Sequence, residues 1–131
     1  MWGDFQKLLD VVKLSLKLRA KRHEFISSNI ANVDTPGYRR KDLPFEKIME
    51  SYLEKERFLK VSHPKHFIKR EHTLEDWTKE FSPQTLGTPN NVSLEEEMAN
   101  LMENQLLYES TLQALSKELE RLKEIITEGG R

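Results

Sequence analysis

The residues best placed to do chemistry are histidines, and three of the chain's four, His63, His66 and His72, fall close together. His63-Pro64-Lys65-His66 could offer two imidazoles to a divalent metal, with His72 as a third ligand. Pro64 keeps the first two off a common helical face, and Lys65 adds a positive charge where a cation would sit. The same residues also read as solvated histidines of a loop. Glu95-Glu96-Glu97 could serve as a carboxylate cluster for acid/base work. It falls, however, at the start of a long periodic segment, where the helix dipole alone favours acidic side chains. None of the five glycines belongs to a phosphate-cradling pattern, and the absence of cysteine removes disulfides, thiolate metal sites and thiol nucleophiles. Arg39-Arg40-Lys41, beside Tyr38, could meet phosphates or lipid headgroups, or could be solvated or form ion pairs between subunits. No catalytic, cofactor-binding or metal-binding constellation emerges, and the chain is expected not to be an enzyme.

The elements that would position any site are clearer. From Asp4, a candidate N-cap, one apolar stripe carries Phe5, Leu8, Leu9, Val12 and Leu16, and an adjoining one carries Val11, Leu14, Leu18 and Phe25, at spacings of three and four. Ile30 extends this packing surface. With no Gly or Pro from Asp4 to Thr35, the spacing predicts one helix of about 28 residues, roughly 42 Å long. Thr35-Pro36-Gly37-Tyr38 stops it, Pro36 fixing φ and Gly37 accepting positive φ, as a type II turn requires.

Toward the other end, Leu94, Met98, Leu101, Gln105, Tyr108, Leu112, Leu115, Leu119, Leu122 and Ile126 alternate at spacings of four and three, a heptad seam. Ser93 and Glu96 form a capping-box pattern at its start, and Gly129-Gly130 mark its end. Gln105 is the one polar member of the seam, either an imperfection or a hydrogen bond that sets register between helices.

Residues 39–92 lose the long periodicity and collect Pro44, Pro64, Pro83 and Pro89. A short helix over Phe45 to Leu53, short strands at Phe58 to Val61 and His66 to Lys69, and a loop from Thr85 to Asn91 are the elements that fit. Trp77 reads as a local core or interface anchor. The expected fold is therefore mainly α: an N-terminal helix and turn (1–38), an irregular middle (39–92) and a heptad helix (93–131), with the two long helices pairing as a coiled coil.

Charge supports that pairing. Residues 1–41 carry 9 basic and 4 acidic groups, a balance of +5, whereas residues 92–131 carry 4 and 9, a balance of −5. Such opposite ends favour each other, or neighbouring copies, over nucleic acid. The first twelve residues lack a secretory leader pattern, and no stretch approaches the roughly 20 apolar residues that span a bilayer. Composition alone points to the cytoplasm.

The segment Ser27-Ser28-Asn29-Ile30-Ala31-Asn32-Val33-Asp34-Thr35-Pro36-Gly37-Tyr38 resembles the N-terminal signature of the axial proteins of the bacterial flagellum. Small Ser28 and Ala31 would let another backbone approach, and the Asn29 and Asn32 amides could bridge to neighbouring main chains. The stretch Asn90-Asn91-Val92-Ser93-Leu94-Glu95-Glu96-Glu97-Met98, continuing through Glu103-Asn104-Gln105-Leu106-Leu107-Tyr108, is similar to the C-terminal element of the basal-body rod protein family. The short middle segment places the resemblance nearest the small proximal members.

That resemblance implies a periplasmic rod subunit that polymerises through its terminal helices. Its implied partners are copies of itself, other rod subunits, membrane-ring and adaptor proteins of the basal body, and the flagellar type III export apparatus. Export without a cleaved signal would displace the cytoplasmic reading. The alternatives are a cytoplasmic coiled-coil adaptor or chaperone of the export system, and a metal-dependent enzyme using the histidine-rich middle.

Overall fold

A computed structural model describes residues 2–58, 84–85 and 87–130 of the chain. The described residues form three helices, α1 (Trp2–Ala31), α2 (Phe45–Phe58) and α3 (Leu94–Gly129), and two two-residue strands, β1 (Lys41–Asp42) and β2 (Gln84–Thr85). The strands pair antiparallel, Lys41 opposite Thr85 and Asp42 opposite Gln84. His63, His66, His72, Trp77 and the strand expected at His66 to Lys69 lie outside the described residues.

The helix α1 is already formed at Trp2, so Asp4 lies within the first turn, where its charge suits the dipole, rather than capping it. At the far end, Asn32 donates its N–H to Ser28 O at 3.1 Å and Val33 to Ile30 O at 3.3 Å, tightening the last turn. The expected type II turn follows: Gly37 has φ 76° and the Tyr38 N–H reaches Thr35 O at 3.2 Å.

The middle helix, α2, is longer than its sequence pattern suggests. It runs on to Phe58, which was expected to open a strand; the remainder of that expected strand lies outside the described residues. At α3, Ser93 is the N-cap and its hydroxyl accepts from the Glu96 N–H, as the capping pattern predicts.

The two long helices pack against each other and run antiparallel, because Asn29 meets Glu97 while Arg19, ten residues earlier, meets Asn104, seven residues later. At 1.5 Å per residue, α1 spans about 45 Å and α3 about 54 Å, so the end of α3 projects roughly one to two turns beyond the start of α1.

The core is small. Leu14, Leu18, Leu43 and Ile48 cluster beneath Phe25, Phe45, Met49 and Tyr52, and Ile26 is buried as well. Thus the Leu14–Leu18–Phe25 stripe of α1 meets α2 and its lead-in, while the other predicted stripe is less covered: Phe5, Leu9, Val12 and Leu16 are half-buried and Leu8 is exposed. Ile30 is half-buried. No helix among the described residues is long and apolar enough to cross a membrane.

Candidate functional site

Where α1 ends and α3 begins, the two sequence motifs at opposite ends of the chain close on one another. Asn29 is completely buried and uses its whole hydrogen-bonding capacity. Its Nδ2 donates to Lys41 O at 2.7 Å and to Glu97 Oε2 at 3.0 Å. Its Oδ1 accepts from Lys41 N at 3.0 Å and from the Tyr38 hydroxyl at 3.1 Å. The side chain thereby joins the helix, the turn, β1 and α3. Asn32 acts more locally, donating to Ser28 O at 2.7 Å, and Thr35 donates to Asn32 Oδ1 at 3.2 Å. Ser28 Oγ lies 3.3 Å from the Tyr38 hydroxyl. Ala31 is exposed, as are Thr35, Pro36 and Gly37.

From the other side, Asn90 and Asn91 grip the same turn. Gly37 N donates to Asn90 Oδ1 at 2.9 Å, Asn90 N to Tyr38 O at 2.9 Å, and Arg40 N to Asn91 Oδ1 at 3.2 Å. Asn90 holds φ 64°, a left-handed conformation that asparagine tolerates better than most residues.

The charges here correct two sequence-based expectations. Glu97 is not merely a carboxylate placed by the helix dipole: it is fully buried, with Arg40 Nε on Oε1 and the Asn29 amide on Oε2. Arg40 is not simply a solvated cation: it bonds Glu97 within the chain and lies 3.7 Å from Asp42 Oδ2. Burial works to lower the Arg40 pKa, but the hydrogen bond and charge of Glu97, with Asp42 and Glu96, outweigh it and hold it above the ordinary value. Asp42 also receives a two-pronged contact from Arg22, at 3.0 and 3.2 Å. Arg39 remains exposed.

Farther along, Asn104 is 1% exposed and donates to Arg19 O at 2.9 Å. Burial and the charge of Arg22 lower the Arg19 pKa against the pull of Glu103, and its guanidinium stacks 4.2 Å from the Phe45 ring centroid. Asn104 is therefore a second polar tie between the long helices, beside Asn29–Glu97, and the seam residue Gln105 is not one. Gln105 is exposed and donates along its own helix to Glu109 Oε1 at 2.6 Å.

The heptad positions of α3 divide. Leu101, Tyr108, Leu115 and Leu122 are half-buried, whereas Leu94, Met98, Leu112, Leu119 and Ile126 are 41 to 68% exposed. The row turned inward is Glu97, Asn104 and half-buried Thr111, seven residues apart and interleaved with Leu101 and Tyr108. Sequence reasoning missed Glu97, Asn104, Arg40 and Asp42. The available signal was that this polar row repeats at the heptad spacing. Among the described residues, no group of three or more His, Asp or Glu side chains is arranged to hold a metal ion.

This arrangement ties the two ends of the chain together and leaves leucine-rich surface of α3 exposed. Residues 15–39 match the family described as flagella basal body rod protein. A protein of Aquifex aeolicus named flagellar basal body rod protein FlgB is 33% identical over 125 residues, covering 94% of this chain and 95% of the relative. Its namesake in Aeromonas hydrophila is 31% identical over 121 residues, covering 90% and 91%. That of Escherichia coli K12 is 28% identical over 125 residues, covering 88% and 89%.

Proposed function

The chain belongs to the FlgB family of flagellar basal body rod proteins, and from that premise we propose that it is a structural subunit of the proximal rod, polymerising through α1 and α3. The observation that carries this reading is the exposure of Leu94, Met98, Leu112, Leu119 and Ile126, all 41% exposed or more on one helix. So much apolar surface along one helix is costly to leave in water and supports a place for another protein there. Burying such a side chain completely from water contributes roughly 1.5 to 3 kcal/mol, and a neighbour would supply the share that corresponds to the part still exposed.

In this reading the subunit works without catalysis. It resides in the periplasmic rod, reached through the type III export apparatus without a cleaved signal, and its neighbours are its own copies, other rod subunits and the ring and adaptor proteins of the basal body. A chain free of cysteine is compatible with threading unfolded through a narrow channel. The reading is tested by isolating basal bodies from cells making this chain with Leu112→Asp beside the unaltered protein. The unaltered protein is expected in the basal-body fraction and the variant only in exported material; unaltered protein that stays in the cytoplasm would instead identify an adaptor or chaperone.

A further inference from the structure

The apolar side chains of α3 follow two different repeats. Leu101, Tyr108, Leu115 and Leu122 recur every seven residues and are half-buried. Leu94, Met98, Met102 and Leu106 recur every four and are 45, 46, 72 and 65% exposed. A seven-residue repeat stays on one side of a helix and suits a neighbour lying alongside at about 20°. A four-residue row advances about 40° around the helix per step and forms the oblique ridge that packs into a helix crossing at roughly 50°. The chain's own α1 lies along the Glu97–Leu101–Asn104–Tyr108 side, so among the described residues this ridge stays exposed.

A matching ridge exists on α1, where Leu8, Val12, Leu16 and Ala20 also recur every four; Leu8 and Ala20 are exposed and Val12 and Leu16 half-buried. The flanking charges are complementary. Residues 94–116 hold five glutamates and no Lys, Arg or His, whereas residues 11–23 hold Lys13, Lys17, Arg19, Lys21, Arg22 and His23 and no acid. Glu95, Glu109, Lys13 and Lys17 are all exposed beside the two ridges.

We propose that the four-residue ridge of α3 receives the α1 ridge of a second copy, crossing it at about 50°, with Glu95 and Glu109 set against Lys13 and Lys17. This rests on the rod reading and adds to it which faces meet. The two faces differ, so each copy offers α3 to one neighbour and α1 to another, and the contact repeats along a helical array.

The test is rescue in trans. One chain carries Glu95→Lys with Glu109→Lys, the other Lys13→Glu with Lys17→Glu, and each is produced alone or together as the cell's sole source of this protein. Either alone is expected to fall on the order of tenfold or more in basal-body content, because like charges then meet. Together they are expected to recover, since each reversed face finds its complement on the other chain. A fault in pairing within one chain could not be repaired by a second chain, so failure of the mixture to exceed either chain alone overturns the proposal. So does normal incorporation of either chain alone. Should the reversed chains fail to fold, Met102→Asp, at a site 72% exposed, provides the second arm. It is expected to unfold like the unaltered chain yet be absent from basal bodies, and its normal incorporation also overturns the proposal. Unaltered protein missing from basal bodies would defeat the rod reading itself, whereas unaltered and variant chains both present would defeat only this contact.

Discussion

At the end of the hairpin where α1 finishes and α3 begins, polar side chains are buried: Asn29, Glu97 and Asn104 are 0, 0 and 1% exposed. Along the outer length of α3 the arrangement is reversed, and Leu119, Ile125 and Ile126 stand 48, 58 and 68% exposed. A chain folded only for its own stability would bury the second group and leave the first in water. The inversion separates two tasks. Directional bonds at the junction fix which residue of α1 lies beside which residue of α3, while the apolar surface, which is not directional, remains for association. If this division is right, substitutions at the junction lower the stability of the monomer, and those on the outer surface lower assembly.

The largest expected effect is at Arg40. Its removal leaves the Glu97 carboxylate fully buried with the Asn29 amide as its remaining hydrogen-bond partner. Breaking a buried ion pair costs about 3 to 5 kcal/mol, and Arg40, whose side chain is 20% exposed, falls toward the lower end. Urea titration of Arg40→Ala is expected to show a clearly lower midpoint. Replacing both partners by apolar residues, Arg40→Met with Glu97→Leu, is expected to cost less than Arg40→Ala, because no charge is stranded. If Arg40→Ala unfolds like the unaltered protein, the junction is not what holds the ends together.

Local rules made much of the fold legible. The end of α1 and most of its length followed from a long run without Gly or Pro, although the helix begins earlier than Asp4 and includes Gly3; the turn followed from Pro36-Gly37, and the start of α3 from Ser93. The site was less legible, for two reasons. Arg40 and Glu97 are 57 residues apart in sequence, and their pairing depends on tertiary packing, which no local pattern records. The heptad of α3 was read as a single seam, although its leucines divide between the α1 side and open surface. An apolar repeat reports that a face is to be covered, without saying whether its own chain or another covers it.

A smaller effect separates two glycines of the junction. Gly37 and Gly87 have φ 76° and 72°, so alanine at either position costs about 1 kcal/mol in backbone strain. Nothing obstructs a methyl group at Gly37, whereas one at Gly87 would strike the side-chain amide of Asn91, which receives the Arg40 N–H. Gly87→Ala is therefore expected to be the more damaging, by roughly another 1 kcal/mol in thermal unfolding. Equal losses would mean that the Asn91 contact adds little to the junction.

The smallest expected effect on stability belongs to the outer surface, and it is the sharpest test of the comparison. Leu119 is 48% exposed and lies far along α3 from the junction. In the isolated chain Leu119→Asp keeps the new carboxylate largely hydrated, so its unfolding free energy is expected to change by less than about 0.5 kcal/mol. Within a rod the same carboxylate would be forced against apolar side chains, a desolvation that opposes association. Exported protein should therefore be normal in amount and helicity but missing from basal bodies. A variant that loses stability in dilute solution would show Leu119 to be part of the monomer's own packing. One that assembles normally would show that this stretch of α3 stays in water in the finished rod.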